Sequence, residues 1–487
     1  MKKGKCILKG ICFIVIFAAL FLSVQELLRD KWVEGEYNVT TKVKGFYAEE
    51  ENTLDVIFVG SSQMYADMAP AVLFTEYGIT SYDFCANEQP LWVSYYYIKE
   101  ALKHQNPKVI VLDVFTVYGD DYEQEGTTHI NLDDLPMSVN KLLAIRDSVP
   151  KGMRYSYYFP LAKYHNTWTD FYEGKATYSF YHEKDPYKGY SPFIFAAAYE
   201  DSAKEEVKNQ KESEPIPDKA KEWLLKIINL CKEENVPLVL VKTPNGNAER
   251  QKLYNSVEVL AKENDTPFLN MNVLLDGQAH INVLQAEKVS SMMGAYLTEH
   301  YSFEDKRENP EYADWAQDAQ FFYRQKAKCR LISAQNLKEY LPLLMDENYV
   351  VCICQKNSGQ AAYCEADMTC FNDSLGLCSM LCENPGAAYV AVLDGGKVVY
   401  ETGMSREEYH IETEEGTDRA ALVAAGLNIE LYSPGALQDQ SAAILINGTD
   451  FSMDCDGINI AVYDKVLGEV FEMSAFDLQQ EMKLIRK

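Results

Sequence analysis

The residues best suited to chemistry lie at two distant points of the chain. Gly60-Ser61-Ser62 follows the apolar run Asp55-Val-Ile-Phe-Val59, and Asp276-Gly-Gln-Ala-His280 comes much later. A serine just past the carboxyl end of a buried parallel strand stands where open α/β sheets gather their active sites. Gly60 permits a tight turn, and a helix after it offers backbone N–H groups to an oxyanion. An imidazole deprotonates a serine, and a carboxylate orients and charges the ring. Ser62, His280 and Asp276 are therefore the candidate nucleophile, general base and partner. Plainer readings stand beside these: Gly-Ser-Ser also suits a turn or helix cap, and His280 also suits a helix entry. A second candidate is Tyr164-His165-Asn166-Thr167-Trp168. Here His165 and Trp168 would touch a sugar or position a substrate, against the alternative of a packed surface histidine. No Cys or His spacing matches a zinc site, so neither metal nor organic cofactor is expected.

The elements that must position these residues alternate. Asp55–Val59, Lys108–Leu112, Val236–Val241 and Pro267–Met271 read as buried strands. Leu91–Lys103, Asp218–Glu234, Arg250–Glu263 and Ala286–Tyr301 have helical periodicity. Such alternation predicts a parallel sheet flanked by helices. The ring-rich stretch 118–217 interrupts it and reads as a lid or a subdomain, and 304–324 reads as a closing segment or linker. After Leu331 short strands separated by turns such as Asp394-Gly395-Gly396 and Asn447-Gly448 predict a second, β-rich domain over 331–487.

Acidic residues outnumber basic ones, 73 to 46, for a net charge of −27. A chain so acidic lacks the cationic surface that phosphate binding needs, which excludes nucleic acid as a partner class. The first 30 residues invert the bias. Lys2, Lys3, Lys5 and Lys9 precede an uncharged stretch from Gly10 to Gln25, almost wholly apolar over Ile11–Leu22. That order predicts a single-pass anchor in the cell membrane with its lysines in the cytoplasm and the rest outside. A cleaved signal peptide and a buried helix are the rivals. Outside the cytoplasm the 12 cysteines would suit disulfides, with unpaired core residues as the alternative.

Gly60-Ser61-Ser62 with Asp276 and His280, together with Tyr95-Tyr96-Tyr97-Ile98-Lys99-Glu100, resembles the SGNH (GDSL-like) hydrolase family over about residues 52–325. Within it the chain looks like the anchored bacterial branch related to the teichoic-acid D-alanyl transfer protein and alginate O-acetyltransferases. The resemblance implies a flavodoxin-like three-layer α/β fold at 50–325, with Ser62 as nucleophile, His280 as base and Asp276 as its partner. Two departures stand out. His280 stands four positions after Asp276 rather than three, and no Asn occupies the usual oxyanion position after Asp113. Asn87 or Gln89 is the substitute donor. In the second domain, Asp456-Gly-Ile-Asn-Ile-Ala-Val-Tyr463, Gly468-Glu-Val470 and Ala475-Phe-Asp477 are similar to the interleukin-like EMT inducer (ILEI/PANDER-like) domain. That resemblance implies a β-sandwich-like module with a recognition or scaffolding role.

The expected function is a membrane-anchored extracytoplasmic esterase or O-acyltransferase acting on acyl groups of cell-envelope or secreted polysaccharide. The alternative is a non-catalytic envelope module that binds glycan or a partner protein on the same scaffold.

Overall fold

The computed structural model describes residues 2–33, 38–119, 124–170, 174–196, 201–274, 280–356, 365–378, 387–404, 409, 411, 415, 417–435, 437, 440–477 and 483–486. The chain divides into two compact units, one of 1–193 with 197–322 and one of 194–196 with 323–487.

The first unit opens with helix α1 (Lys2–Leu28) and α2 (Val39–Ala48). The sheet then begins with β1 (Val56–Val59), followed by α3 (Ser62–Asp67), α4 (Pro70–Tyr77), β2 (Ser81–Asp83), α5 (Leu91–His104) and β3 (Val109–Asp113). Six short helices fill the interruption: α6 (Glu125–Leu132), α7 (Val139–Ser148), α8 (Arg154–Tyr158), α9 (Leu161–Tyr164), α10 (Gly174–Phe180) and α11 (Asp201–Asn209). The alternation resumes with α12 (Asp218–Glu233), β4 (Leu238–Lys242), α13 (Ala248–Glu263), β5 (Phe268–Asn270), α14 (Val283–His300) and α15 (Ala313–Ser333). The five strands are parallel, in the order β2-β1-β3-β4-β5. This is the doubly wound order whose switch point lies between β1 and β3.

The central strands are apolar up to their last residues, Asp113 in β3 and Lys242 in β4, because both faces are covered. Ile57, Val59, Ile110, Leu112, Leu238 and Leu240 share one core with α5 and α12. The alternate residues Val56, Phe58, Val109, Val111, Val239 and Val241 are equally buried. Edge strand β2 was not foreseen, being three residues of Ser-Tyr-Asp with no apolar run to announce it. Ile130, Leu132, Leu135, Ala144, Ile145 and Tyr157 from the interruption join the α5 core, so this part is built into the domain. The closing segment is likewise packed: Lys306 is buried and donates to Asp55 and to Thr80, both at 2.7 Å.

The second unit adds α16 (Leu337–Tyr340), β6 (Tyr349–Lys356), α17 (Glu365–Leu375), β7 (Val390–Asp394), β8 (Lys397–Glu401), β9 (Asp418–Ala424) and β10 (Leu427–Ser433). Then come β11 (Ala443–Ile446), β12 (Thr449–Asp450), β13 (Gly457–Asp464), β14 (Glu469–Asp477) and β15 (Lys483–Arg486). One antiparallel sheet runs β15-β14-β13-β6-β7-β8 and another runs β12-β11-β10-β9. Strand β6 shows the period of two at work. Val350, Cys352 and Cys354 face the core shared with the four-stranded sheet, and Tyr349, Val351 and Ile353 face Leu341, Phe371 and Leu375. Strand β10 has only one covered face, so Leu427, Ile429 and Leu431 are buried while Asn428 and Glu430 are exposed.

Disulfides do not form among the described cysteines. Cys12, Cys85, Cys231, Cys329, Cys352, Cys354, Cys370, Cys378 and Cys455 are all free. Cys352 and Cys354 serve as small core residues, as their shared face in β6 requires.

Candidate active site at the carboxyl edge of the parallel sheet

Strand β1 ends in a glycine for a steric reason. Gly60 has φ +156°, and a Cβ there would lie 2.6 Å from the Asp113 Cβ on the neighbouring strand. Ser61 then caps α3, its hydroxyl accepting from the Gln63 N–H at 3.2 Å and donating to Asp113 Oδ2 at 2.8 Å. The capping role proposed for Gly-Ser-Ser thus falls to Ser61. Ser62 is the first helical residue, buried at the sheet edge. Its helix is six residues long, so its dipole is small and any oxyanion stabilisation must come from individual donors.

His280 reaches the same edge from the start of the loop into α14. Its Nδ1 lies 3.2 Å from Gln63 Nε2, and its ring packs on Phe193 with centroids 4.6 Å apart. The imidazole therefore stands beside the residue after Ser62 rather than hydrogen-bonded to the serine itself. Burial first, and then the charge of Lys242, push its pKa below the ordinary histidine value. A neutral ring at neutral pH is the form a general base requires. Asp276 lies outside the described residues.

The loop after β2 joins the edge through Ala86, whose N–H donates to the Gly60 carbonyl at 3.3 Å. Asn87 follows directly and is half-buried, its carbonyl accepting from Asn131 Nδ2 at 2.8 Å. Gln89 turns toward α5, donating to Ser94 Oγ at 3.0 Å, while its own amide oxygen is buried without a hydrogen bond. A cleft opens beside this loop, lined by Glu88, Trp92, Thr116, Tyr118, Thr128 and Asn131.

Charged residues that the sequence alone did not single out converge beneath Ser62. Asp113 ends β3 and Lys242 ends β4; both are buried, and Lys242 donates to the Thr243 carbonyl. Asp67, the last residue of α3, is fully buried. Its nearest donors are the Thr243 hydroxyl and the Ile281 N–H, neither in hydrogen-bonding geometry. Burial pushes Asp67 far above the usual carboxylate range and raises Asp113, each opposed by Lys242. Burial lowers Lys242 in turn, opposed by Asp113 and Asp67. Asp83, at the end of β2, is also raised by burial, and its carboxylate accepts no hydrogen bond. A signal was present: a polar residue closing an apolar strand, as in Val109-Ile-Val-Leu-Asp113 and Leu238-Val-Leu-Val-Lys242, points at the carboxyl edge.

His165 and Trp168 are exposed, and the structure brings them to the end of α1. Between them Thr167 donates to the Leu28 carbonyl, and the preceding Tyr164 donates to Asp133 at 2.7 Å. Among the described residues no group of three or more His, Cys, Asp or Glu is arranged to hold a metal ion. No family model, no curated protein and no solved structure matches this chain.

Proposed function

We propose that the first unit is an SGNH-type serine hydrolase or O-acyltransferase that works on acyl esters of an envelope or secreted polysaccharide. The observation that carries this reading is the contact at 3.2 Å between His280, from the far end of the domain, and Gln63, the residue next to Ser62 at the carboxyl end of β1. In this mechanism Ser62 Oγ attacks the ester carbonyl while His280 takes its proton, and His280 returns that proton to the departing alcohol. Water or a sugar hydroxyl then accepts the acyl group from Ser62. Gln63 must swing aside for the imidazole to reach the serine. Asn87 is the side chain best placed to supply an oxyanion donor, because its loop is bonded to Gly60. A helix over Ile7–Leu28, long and apolar enough to cross a membrane, supports anchoring with both units outside the cytoplasm. The second unit, an ILEI-like sandwich in this reading, would recognise glycan or protein.

One observation favours the non-catalytic alternative: Gln63 occupies His280, and Ser62 makes no hydrogen bond to it. Fluorophosphonate labelling separates the two, because the probe captures activated serines whatever the natural acyl group. Labelling lost in both Ser62→Ala and His280→Ala supports an active Ser–His pair. Absence of labelling in folded wild-type protein would leave the binding-module reading standing.

A further inference from the structure

The end of α1 is clasped by the domain. Arg29, at the helix exit, is buried and donates to Asp134 at 2.7 Å and to Glu26 at 2.9 Å. Thr40 secures the other oxygen of Asp134 at 2.8 Å. Lys44 pairs with Glu26 at 3.2 Å and donates to the carbonyls of Tyr178 and Ser179. Helices α9 and α10 pack directly on α1. Leu22, Gln25, Met137, Pro160 and Ser179 line one cavity, so the clasp extends down the helix from Leu28 to about Leu22.

This grip fixes the domain against the outer end of the helix. The exposed apolar stretch from Ile7 to Val24, interrupted by Lys9, is about 18 residues, or about 27 Å at 1.5 Å per residue. A bilayer core is about 30 Å thick. Lys9 can snorkel at the cytoplasmic side, but the clasp fixes the other end. The domain surface around that end is apolar where water would not favour it: Trp168 is 67% exposed, Phe159 56%, Phe180 59%, Tyr181 59% and Met137 56%. Each is adjacent in sequence to a residue that touches α1 or lines its cavity, or lines that cavity itself, Tyr181 through the neighbouring His182.

We propose that these side chains form a collar beside α1 that sits in the lipid interface where the helix leaves the bilayer. The domain then rests on the bilayer with the ring-rich interruption facing the lipid. Aromatic side chains favour the headgroup level, where one edge is apolar and the other wet. Trp168 thereby reads as a lipid contact rather than a sugar platform. The proposal rests on α1 spanning the membrane, and the test keeps the two apart.

The full-length protein is reconstituted in vesicles of phosphatidylcholine and of the same lipid brominated high on the acyl chain, with carbonate extraction run in parallel. The Trp168 contribution is the difference between wild-type and Trp168→Phe emission, and Phe180→Trp gives a second reporter. Protein that resists carbonate and whose Trp168 and introduced Trp signals are quenched by bromine supports the collar. Protein that resists carbonate while both signals stay unquenched and water-like overturns the collar and leaves the anchor intact. Release by carbonate overturns the anchor, and the collar with it.

Discussion

The second unit and the carboxyl edge of the first unit's sheet treat buried charge in opposite ways. In the second unit the buried ions are matched: Arg324 holds Asp464 at 2.6 Å and Asp346 at 2.9 Å, and Arg486 holds Glu472 at 3.0 Å. At the carboxyl edge of the first unit, Asp67 and Asp83 are fully buried with neither carboxylate in a hydrogen bond of normal geometry; Asp113 and Asp67 share Lys242, and Asp83 faces Lys42. Burying an ion without a partner costs free energy that selection for stability alone would remove. Unmatched charge beside a serine and a histidine is therefore the signature of a site, and matched charge is the signature of scaffold.

The difference can be broken or sharpened by mutation. Arg324→Met should cost the most, about 3–5 kcal/mol, because it leaves Asp464 buried without its cation; chemical denaturation measures it, and a loss under 1 kcal/mol would mean the pair is not structural. Gly60→Ala should cost about 2–3 kcal/mol through a left-handed backbone and the contact with Asp113. The same experiment should show that loss in the first unit's transition alone.

Asp67→Asn should do the reverse and leave stability at neutral pH unchanged or raised. Its sign follows from linkage. A carboxyl raised in the native state binds its proton more tightly there than in the unfolded chain, so stability falls as pH rises from about 3.9 through the native value. The Asn variant should flatten that slope in melting curves taken across the acid range, and an unchanged slope would remove Asp67 from the account. The smallest effect concerns His280. Because its native pKa is lowered, probe labelling should persist on acidification to below about pH 6.5 before it falls. An acid limb at or above that value would mean that His280 is not the base.

The central apolar strands and their helices were legible because burial on both faces leaves long unbroken apolar runs. Strand ends shifted by one or two residues, since Asp113 and Lys242 continue the backbone ladder while changing chemical character. The hairpin of β9 and β10 was missed for a definite reason. Its turn is Ala425-Gly426, with φ of +49° and +79°, and alanine gives no turn signal of the kind Asn-Gly does. Of the site, Ser62 and His280 could be picked out by residue type and place. The contact through Gln63 could not, because a side chain meeting across the fold has no local pattern. Nor did the aromatic residues of the interruption reveal that they lie beside α1, since rings suit sugar, core and lipid alike.

The central claim is that Ser62 is the activated serine of this edge. Its most direct test is mass mapping of the phosphonate adduct after labelling the full-length protein. The account predicts the added mass on the Ser62 hydroxyl in wild-type protein and its loss in His280→Ala. An adduct on Ser61, whose hydroxyl is committed to Asp113, or on any serine elsewhere would contradict it.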